Sequence, residues 1–336
     1  MVEVIGEGSY GCVTKPSLRC KVKEDYHNKV SKIMAKEDAE HELDEIQEIT
    51  KIPNIEKYIL NKPAICTPIK DKSFYKTVKN CNNSKIQNAI QNNEQIRLLI
   101  LDDGGVDLDK FMHDVIPSIS QDDIDIFLTS ILKLLEGIQF FRTNHIIHRD
   151  IKLLNIVYNL YSTEIKFIDF GLVTYTNEFM KDSNENHNYF AQSWYYYPKE
   201  NSCVNKDKFI FLDKCSPYRT QKYNYFIHKV ANTFDSYCLT FCLIDLFQYI
   251  SKKIKHIPSS FFRKCMLLFR EYCEENIYKR NSNIKQLYSR YKTLLKQYNV
   301  YKIHTMKRTK SRTRKSHRST SRNAKTKLKT KTYKHR

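Results

Sequence analysis

Glycine is scarce in this chain of 336 residues, which contains seven glycines. That is about a third of average usage. No apolar run approaches the roughly 18 residues that a membrane-spanning helix needs; the nearest, CLTFCLIDLF, is short and contains Asp245. The amino terminus, MVEVIGEGSYG, lacks the basic start and apolar centre of a signal peptide. We therefore expect a soluble, intracellular protein with no membrane contact.

Cysteine is present but not in a metal-binding pattern. The ten cysteines are scattered from Cys12 to Cys273, with no CxxC pair and no matching histidine spacing. A metal site is therefore not indicated, and in a reducing compartment disulfides are not expected. We predict reduced cysteines that pack as small apolar side chains, with Cys238 and Cys242 on one face of a helix.

Acidic residues are absent from the carboxyl-terminal end. Fourteen of the 57 Lys and Arg residues lie between Lys307 and Arg336, which leaves 43 basic and 37 acidic residues, a net charge of +6, in residues 1–306. The end of the chain has no core-forming pattern, so we expect a disordered basic tail at 301–336. The cations of segment 307–336 suit nucleic acid or a nuclear import receptor, and a tail that only aids solubility is the simpler alternative.

The order of the periodic segments predicts an α+β fold with separate layers, not alternating βαβ units. Strand signals at VEVIG, CVTK and KVSKIM precede a helical pattern in EDAEHELDEIQEITKI. Residues 53–95 read as weak strands and polar loops, and IRLLIL follows as a short strand. Helical patterns dominate thereafter. We expect a strand-rich part at 1–103 and a helix-rich part at 104–300.

Three of the seven glycines, Gly6, Gly8 and Gly11, stand close together in GEGSYGCV, between two strand signals. Glycines at such a turn let the backbone approach a polyphosphate without a side chain in the way. Taken alone, the pattern also fits an ordinary glycine-rich hairpin, and no Gly-Lys-Ser/Thr follows to make it a Walker motif.

Lys32 lies inside the apolar strand VSKIM, where its ammonium group needs an anion or a path to water. The next helical pattern offers Glu40, Glu42 and Glu45. Glu42 fits best a position that faces inward, although the short spacing from Lys32 leaves the other two open. A Lys–Glu pair would orient the ammonium group towards a phosphate.

The segment HRDIKLLN, residues 148–155, sets polar side chains between apolar stretches, where burial of unpaired charge costs on the order of several kcal/mol. IVY and IKFID flank a polar turn and predict a hairpin that brings Asp169 beside Asn155. Their oxygens suit Mg²⁺. Asp150 would accept the proton of an incoming hydroxyl and Lys152 would neutralise a phosphoryl group, so the cluster indicates phosphoryl transfer.

Taken in order, GEGSYGCV, VSKI, HRDIKLLN and DFG resemble the signature motifs of eukaryotic-type protein kinases, over roughly residues 3–295. The resemblance implies a bilobal fold whose lobes are the two parts above, with an insertion at 201–234. Lys152, two residues after Asp150, is typical of serine/threonine kinases. The residues around the glycines are similar to those in the kinases of large DNA viruses. A viral kinase would be located in the host cytoplasm, the host nucleus or the virion.

The resemblance also implies roles for single residues in an enzyme that transfers the γ-phosphate of ATP to protein Ser and Thr hydroxyls. Asp150, Lys152, Lys32 and Arg149 would be catalytic. Asn155 and Asp169 would hold Mg²⁺, with Mn²⁺ as an alternative metal. The contacts to ATP would come from Ile5, Gly6, Glu7, Gly8, Ser9, Tyr10, Gly11, Val13, Lys32, Glu42, Asp102 and Gly104.

Further expectations rest on the same resemblance. Ser193 would belong to the substrate loop, Glu200 would pair with Arg280 in the interior, and Asp235 would brace the catalytic loop. In the family, Arg149 often pairs with a phosphate on the loop after DFG. Because this loop carries its own acids, we predict activity that is independent of phosphorylation.

A scaffold of the pseudokinase kind, with the basic tail binding nucleic acid, is the alternative function. Such scaffolds generally lose one of three groups that correspond here to Lys32, Asp150 and Asp169, and all three are present. A small-molecule phosphotransferase of similar fold would not be expected to carry the Arg149 and Lys152 pattern. The nearness of Gly6 to the first residue predicts no regulatory segment before it.

Overall fold

The first part of the chain is an antiparallel sheet in the order β1-β2-β3-β5-β4. The computed structural model describes residues 2–8, 10–22, 24–92, 94–185 and 194–302. Alternating apolar side chains of the sheet, such as Ile33 and Leu98, are buried and form a core on one of its faces. The strands are β1 (Glu3–Gly8), β2 (Gly11–Lys15), β3 (Lys29–Ala35), β4 (Ala64–Cys66) and β5 (Ile96–Asp102).

Three helices accompany this sheet: α1 (Lys36–Thr50), α2 (Lys72–Lys79) and α3 (Ser84–Gln91). The prediction of weak strands and loops at 53–95 was wrong for α2 and α3. Asp71 begins α2 by accepting a bond from the Phe74 N–H at 2.9 Å, and Asn83 begins α3 by accepting one from the Ile86 N–H at 3.1 Å. Phe74 and Ile86 are buried in the core of the sheet, so packing stabilises two helices that are too short to be stable alone.

The second part of the chain is mainly helical, and the α+β prediction is confirmed. Its helices are α4 (Leu108–Lys110), α5 (Gln121–Thr143), α6 (Thr176–Asn184), α7 (Lys206–Phe211), α8 (Tyr223–Lys253), α9 (Ser259–Arg270) and α10 (Ile284–Gln297). Short strands lie between them: β6 (Val106–Asp107), β7 (Ile146–Ile147), β8 (Ile156–Tyr158), β9 (Ile165–Phe167) and β10 (Thr174–Tyr175).

Helices α5 and α8 form the centre of this second part. Ser120 begins α5 by accepting a bond from the Asp123 N–H at 3.1 Å, and buried apolar side chains follow along almost the whole helix. In α8 buried residues run from Tyr223 to Ile250. The end of the predicted insertion at 201–234 therefore belongs to this core helix, because α8 begins at Tyr223.

The prediction that all cysteines are reduced was wrong for six of the ten. The structure contains the disulfides Cys12–Cys81, Cys20–Cys66 and Cys203–Cys215, with Cα–Cα distances of 6.0, 5.8 and 5.6 Å. The fold brings these partners together across 69, 46 and 12 positions of sequence, which spacing rules do not reveal. Cys238 and Cys242 are free and buried in α8, as predicted.

No helix in the described part of the chain combines the length and the apolar character that a membrane crossing requires.

Candidate active site

The hairpin of β8 and β9 positions the site. Ile156 pairs with Phe167 in antiparallel register, as IVY and IKFID predicted. Beyond the last pair, the Ile168 N–H donates to the Asn155 carbonyl oxygen at 3.0 Å. This bond brings the residue before β8 beside the end of β9, so Asn155 and Asp169 lie at the same end of this hairpin.

Asp150 lies where three hydrogen-bond donors converge. Its Oδ2 accepts bonds from Lys152 Nζ at 2.8 Å and from Asn155 Nδ2 at 2.7 Å, and its Oδ1 accepts one from Tyr196 Oη at 2.6 Å. The residue is buried, with a relative exposure of 7%. The two donors on Oδ2 orient this carboxylate, and one of them, Lys152, is a cation that offsets its charge.

Asn155 and Asp169 offer two oxygen ligands for a cation. The amide nitrogen of Asn155 is committed to Asp150, whose carbonyl oxygen it also contacts at 2.9 Å, so the amide oxygen is the atom able to coordinate a metal. Asp169 is exposed, and its carboxylate is accessible from solvent. Amide and carboxylate oxygens are the hard ligands that Mg²⁺ and similar divalent cations prefer, so this pair fits a divalent metal.

The backbone of the site is held in an unfavourable conformation at two residues. Arg149 has a φ of 67° and Asp169 a φ of 64°, in the left-handed region that costs non-glycine residues on the order of 1 kcal/mol or more. Asp235 in α8 stabilises the first of these. Its carboxylate accepts bonds from the His148 N–H at 2.8 Å and the Arg149 N–H at 3.1 Å, so the predicted brace is confirmed. Burial raises the pKa of Asp235, while His148 and the two N–H bonds oppose that rise.

Lys32 and Glu42 form the ion pair that the sequence favoured. Lys32 Nζ lies 2.5 Å from Glu42 Oε2, and the two side chains are 14% and 16% exposed. The other two glutamates considered, Glu40 and Glu45, pair with basic side chains of their own helix. Since α1 follows β3 directly, Glu42 in the second turn of this helix already reaches the lysine, which explains the short spacing.

The glycine-rich hairpin leaves open space where side chains would otherwise stand. Gly8 of β1 pairs with Gly11 of β2. A Cβ at Gly6 or Gly8 would meet no atom within 4 Å, whereas one at Gly11 would collide with the carbonyl oxygen of Ile33. Gly11 is thus required by the packing of β2 on β3, and the other two leave room for a ligand. Ser9, a predicted contact, lies outside the described residues.

The residues predicted as the hinge, Asp102 and Gly104, lie at the end of β5 and just after it. The carboxylate of Asp102 pairs with Lys29 and accepts a bond from Asn61 Nδ2 at 2.7 Å. Burial alone would raise the pKa of Asp102, but the bonds from Lys29 and Asn61 lower it. A Cβ at Gly104 would lie 2.6 Å from the Val157 side chain, so glycine is required for the hinge to pack on β8.

A family model of the protein kinase domain matches residues 1–202. The match covers more than half of the 336 residues. The chain belongs to the protein kinase family. This confirms the resemblance to eukaryotic-type protein kinases. As a protein kinase it is a phosphotransferase that uses ATP and a divalent metal ion and acts on protein substrates.

Tyr196 is the site residue of this kinase that the sequence did not reveal. It is 4% exposed, and its ring lies near Lys152, with the ammonium 5.9 Å from the ring centroid. Burial, and then the hydrogen bond to Asp150, raise the pKa of Tyr196, so its hydroxyl stays protonated and donates. The only signal was its place in the aromatic run WYYYP, which does not distinguish it from Tyr195 or Tyr197.

Glu200 and Arg280 form the buried pair that the kinase resemblance implied, and this prediction is confirmed. The guanidinium donates to both carboxylate oxygens, at 2.5 and 3.0 Å, and both side chains have an exposure of 0%. The pair joins the segment that carries Tyr196 to the helical core. It therefore supports the Asp150 site from a distance without contacting it.

The loop after DFG is described only in part in this kinase. Arg149 lies against Phe179 of α6, with the guanidinium carbon 5.6 Å from the ring centroid. Glu178, one of the acids of this loop, accepts a bond from the Tyr175 N–H at 3.4 Å at the start of α6. An acidic partner for Arg149 stays a prediction. Ser193, the predicted substrate-loop residue, lies outside the described residues.

Proposed function

We propose that this protein kinase transfers the γ-phosphate of ATP to serine and threonine hydroxyls of proteins, with Asp150 as the base. The observation that carries this proposal is the convergence of Lys152 and Asn155 on the Asp150 carboxylate at 2.8 and 2.7 Å. A carboxylate held in this way is oriented to accept the proton of an acceptor hydroxyl. Lys152 lies close enough to neutralise charge on the transferring phosphoryl group.

Asn155 and Asp169 are the proposed metal ligands. Mg²⁺, or Mn²⁺ in its place, would supply positive charge to the phosphates of ATP when bound. The Asn155 amide nitrogen donates a hydrogen bond to the Asp150 carboxylate. This single bond connects the proposed metal ligand to the proposed base. We expect this link to keep the acceptor hydroxyl and the phosphate in a fixed relative position.

The nucleotide contacts are proposed on the glycine-rich hairpin and the hinge. Lys32, oriented by Glu42, would bind the α- and β-phosphates, and the open space beside Gly6 and Gly8 would admit the polyphosphate. Backbone groups at Asp102 and Gly104 would bind adenine. The other hairpin residues that the resemblance gives as ATP contacts would line the face of the hairpin that admits the polyphosphate.

Specificity for serine and threonine rests on the resemblance and on Lys152, the residue two positions after Asp150. The likeness to kinases of large DNA viruses stays a prediction drawn from the residues around the glycines.

The test is transfer of labelled γ-phosphate to a peptide library, followed by identification of the phosphorylated amino acid. We expect phosphoserine and phosphothreonine. Asp150→Asn keeps the shape of the side chain but cannot accept a proton, so we expect kcat to fall by about 10²- to 10⁴-fold while ATP binding persists. Phosphotyrosine as the main product would contradict the specificity, and an unchanged kcat in Asp150→Asn would contradict the role of the base.

A second partner is proposed for the basic segment 307–336, which lies outside the described residues. If about half of its 14 cations contact phosphates, binding of nucleic acid should weaken with salt with a log–log slope on the order of −6. Deletion of 307–336 should abolish retention on DNA or RNA and leave peptide phosphorylation intact. Retention by the shortened chain would exclude this contact.

A further inference from the structure

The turn between α2 and α3 contacts the glycine-rich hairpin directly. Asn82 donates from its backbone N–H and its Nδ2 to Glu7 Oε1, at 3.1 and 3.4 Å. Asn83 Nδ2 donates to the Gly8 carbonyl oxygen at 2.6 Å. The polar atoms of two adjacent asparagines are thus directed at the strand that enters the glycine turn.

A covalent bond joins the same two segments. Cys12 follows Gly11 in β2 and forms a disulfide with Cys81, the residue before Asn82. Both cysteines are buried, with exposures of 0% and 1%. Exposed hydrogen bonds exchange readily with water, so the asparagine contacts alone would hold the hairpin weakly. The disulfide keeps them in register.

Helix α3 also reaches the helix that carries Glu42. Lys85 Nζ lies 3.1 Å from Asp38 Oδ1 in the first turn of α1, and 4.2 Å from the ring centroid of Tyr10 at the tip of the hairpin. One lysine therefore contacts both the glycine-rich hairpin and α1. These are the two elements on which the proposed phosphate contacts depend.

We propose that the α2–α3 pair is a clamp that positions the glycine-rich hairpin for ATP, and that the Cys12–Cys81 disulfide sets its strength. Asn82, Asn83 and Lys85 are positioning residues in this clamp. The inference rests on the proposed function, since it takes the hairpin as the ATP-binding element. It adds a dependence on oxidation state that the function itself does not require.

The physical effect of the clamp is preorganisation. A hairpin that is free to move binds ATP only in the fraction of time it spends in the right arrangement, and the apparent affinity falls by that fraction. Holding the hairpin in place before binding removes this loss. Because the chemistry takes place at Asp150 on another element, the clamp should act on the KM for ATP and leave kcat nearly unchanged.

Opening the clamp requires two electrons. A dithiol reductant supplies them: the Cys12–Cys81 S–S bond breaks, each sulfur takes up one of the two protons that the dithiol releases, and the dithiol closes to its own cyclic disulfide. In the reduced state the hydrogen bonds from Asn82 and Asn83 to the hairpin remain without the covalent bond beside them.

The experiment compares the full-length oxidised chain with Cys12→Ser/Cys81→Ser. Peptide phosphorylation gives KM for ATP and kcat, and hydrogen–deuterium exchange reports the mobility of residues 3–15 without nucleotide. We expect KM to rise about threefold to tenfold, kcat to stay within about twofold, and exchange at 3–15 to become faster. The matched control is Cys20→Ser/Cys66→Ser, which removes the other disulfide of the same sheet and should change neither KM nor exchange at 3–15.

A second variant tests the clamp if the Cys12→Ser/Cys81→Ser protein does not fold. Asn83→Asp keeps the oxygen that begins α3 but removes the donor to Gly8, and we expect a rise in KM of about twofold with the disulfide intact. KM and exchange at 3–15 that match the oxidised parent in both variants would overturn the clamp. If the parent transfers no phosphate, the proposed function fails, and the exchange measurement still decides on the clamp.

Discussion

Segment 148–155 and the glycine-rich hairpin, the two parts of the proposed active site, are held in different ways. In segment 148–155, the N–H groups of His148 and Arg149 donate to a buried carboxylate, Asp235, inside a helical core. At the hairpin, the Gly8 carbonyl oxygen accepts a solvent-exposed hydrogen bond from the half-buried Asn83. Burial makes the first contact costly to break, and water competes with the second.

In the proposed function, this difference would separate a fixed part of the enzyme from an adjustable one. The acceptor hydroxyl, the base and the metal ligands need a constant geometry, because even a small misplacement of reacting groups strongly lowers the reaction rate. The glycine-rich hairpin would have to admit and release the nucleotide, so weaker polar contacts suit its proposed role. A disulfide beside it restores order without adding a buried charge. We expect substitutions in the first region to affect stability or kcat, and those in the second to affect KM for ATP.

The largest effect on stability is expected from the buried pair of Glu200 and Arg280. Glu200→Gln leaves the guanidinium buried without its counter-charge, which should lower the free energy of unfolding by about 3–5 kcal/mol. Denaturant unfolding followed by circular dichroism measures this loss. The control is Glu271→Gln, which breaks the half-exposed pair with Arg290 and should cost less than about 1 kcal/mol. An equal loss in the free energy of unfolding in the two variants would contradict the expectation that the buried ion pair contributes more to stability than the exposed one.

A smaller effect, on substrate binding, is expected at Tyr196. Its hydroxyl donates to Asp150 Oδ1, the kind of bond that an acceptor hydroxyl would make, so the two compete. Tyr196→Phe removes the competitor, and we expect KM for the peptide to fall about threefold to tenfold, as expected for loss of one charge-assisted hydrogen bond. Steady-state kinetics with varied peptide measures it, with the exposed Tyr195→Phe as control. A lower kcat at unchanged peptide KM would instead mean that Tyr196 orients the base.

Much of the catalytic side could be predicted from the sequence, because local patterns determine it. Two short apolar runs around a polar turn specify the hairpin that brings Asn155 and Asp169 together, since antiparallel pairing leaves one register for so short a turn. The pattern of the inward face of α1 identified Glu42 as the partner of Lys32. The motif resemblance identified Asp235 as the residue that holds the backbone at His148 and Arg149.

The contacts that the sequence did not reveal depend on the assembled fold. Cys12 and Cys81 are 69 positions apart, and no local pattern indicates that they meet. Helices α2 and α3 are eight residues each, and their polar sequence does not favour helix until the core of the sheet accepts Phe74 and Ile86. Tyr196 is identified by the hydrogen bond of its hydroxyl to Asp150. The sequence has three consecutive tyrosines at this point and does not indicate which of them makes that bond.

The proposed metal site requires that the β8–β9 hairpin bring Asn155 and Asp169 close enough to share one divalent cation. The most direct measurement is the Mg²⁺ concentration at half-maximal phosphoryl transfer, at saturating ATP, in the parent, in Asp169→Asn and in the exposed control Asp213→Asn. We predict that Asp169→Asn raises this concentration by at least about tenfold to a hundredfold and that Asp213→Asn leaves it unchanged. The same Mg²⁺ dependence in all three proteins would contradict the account.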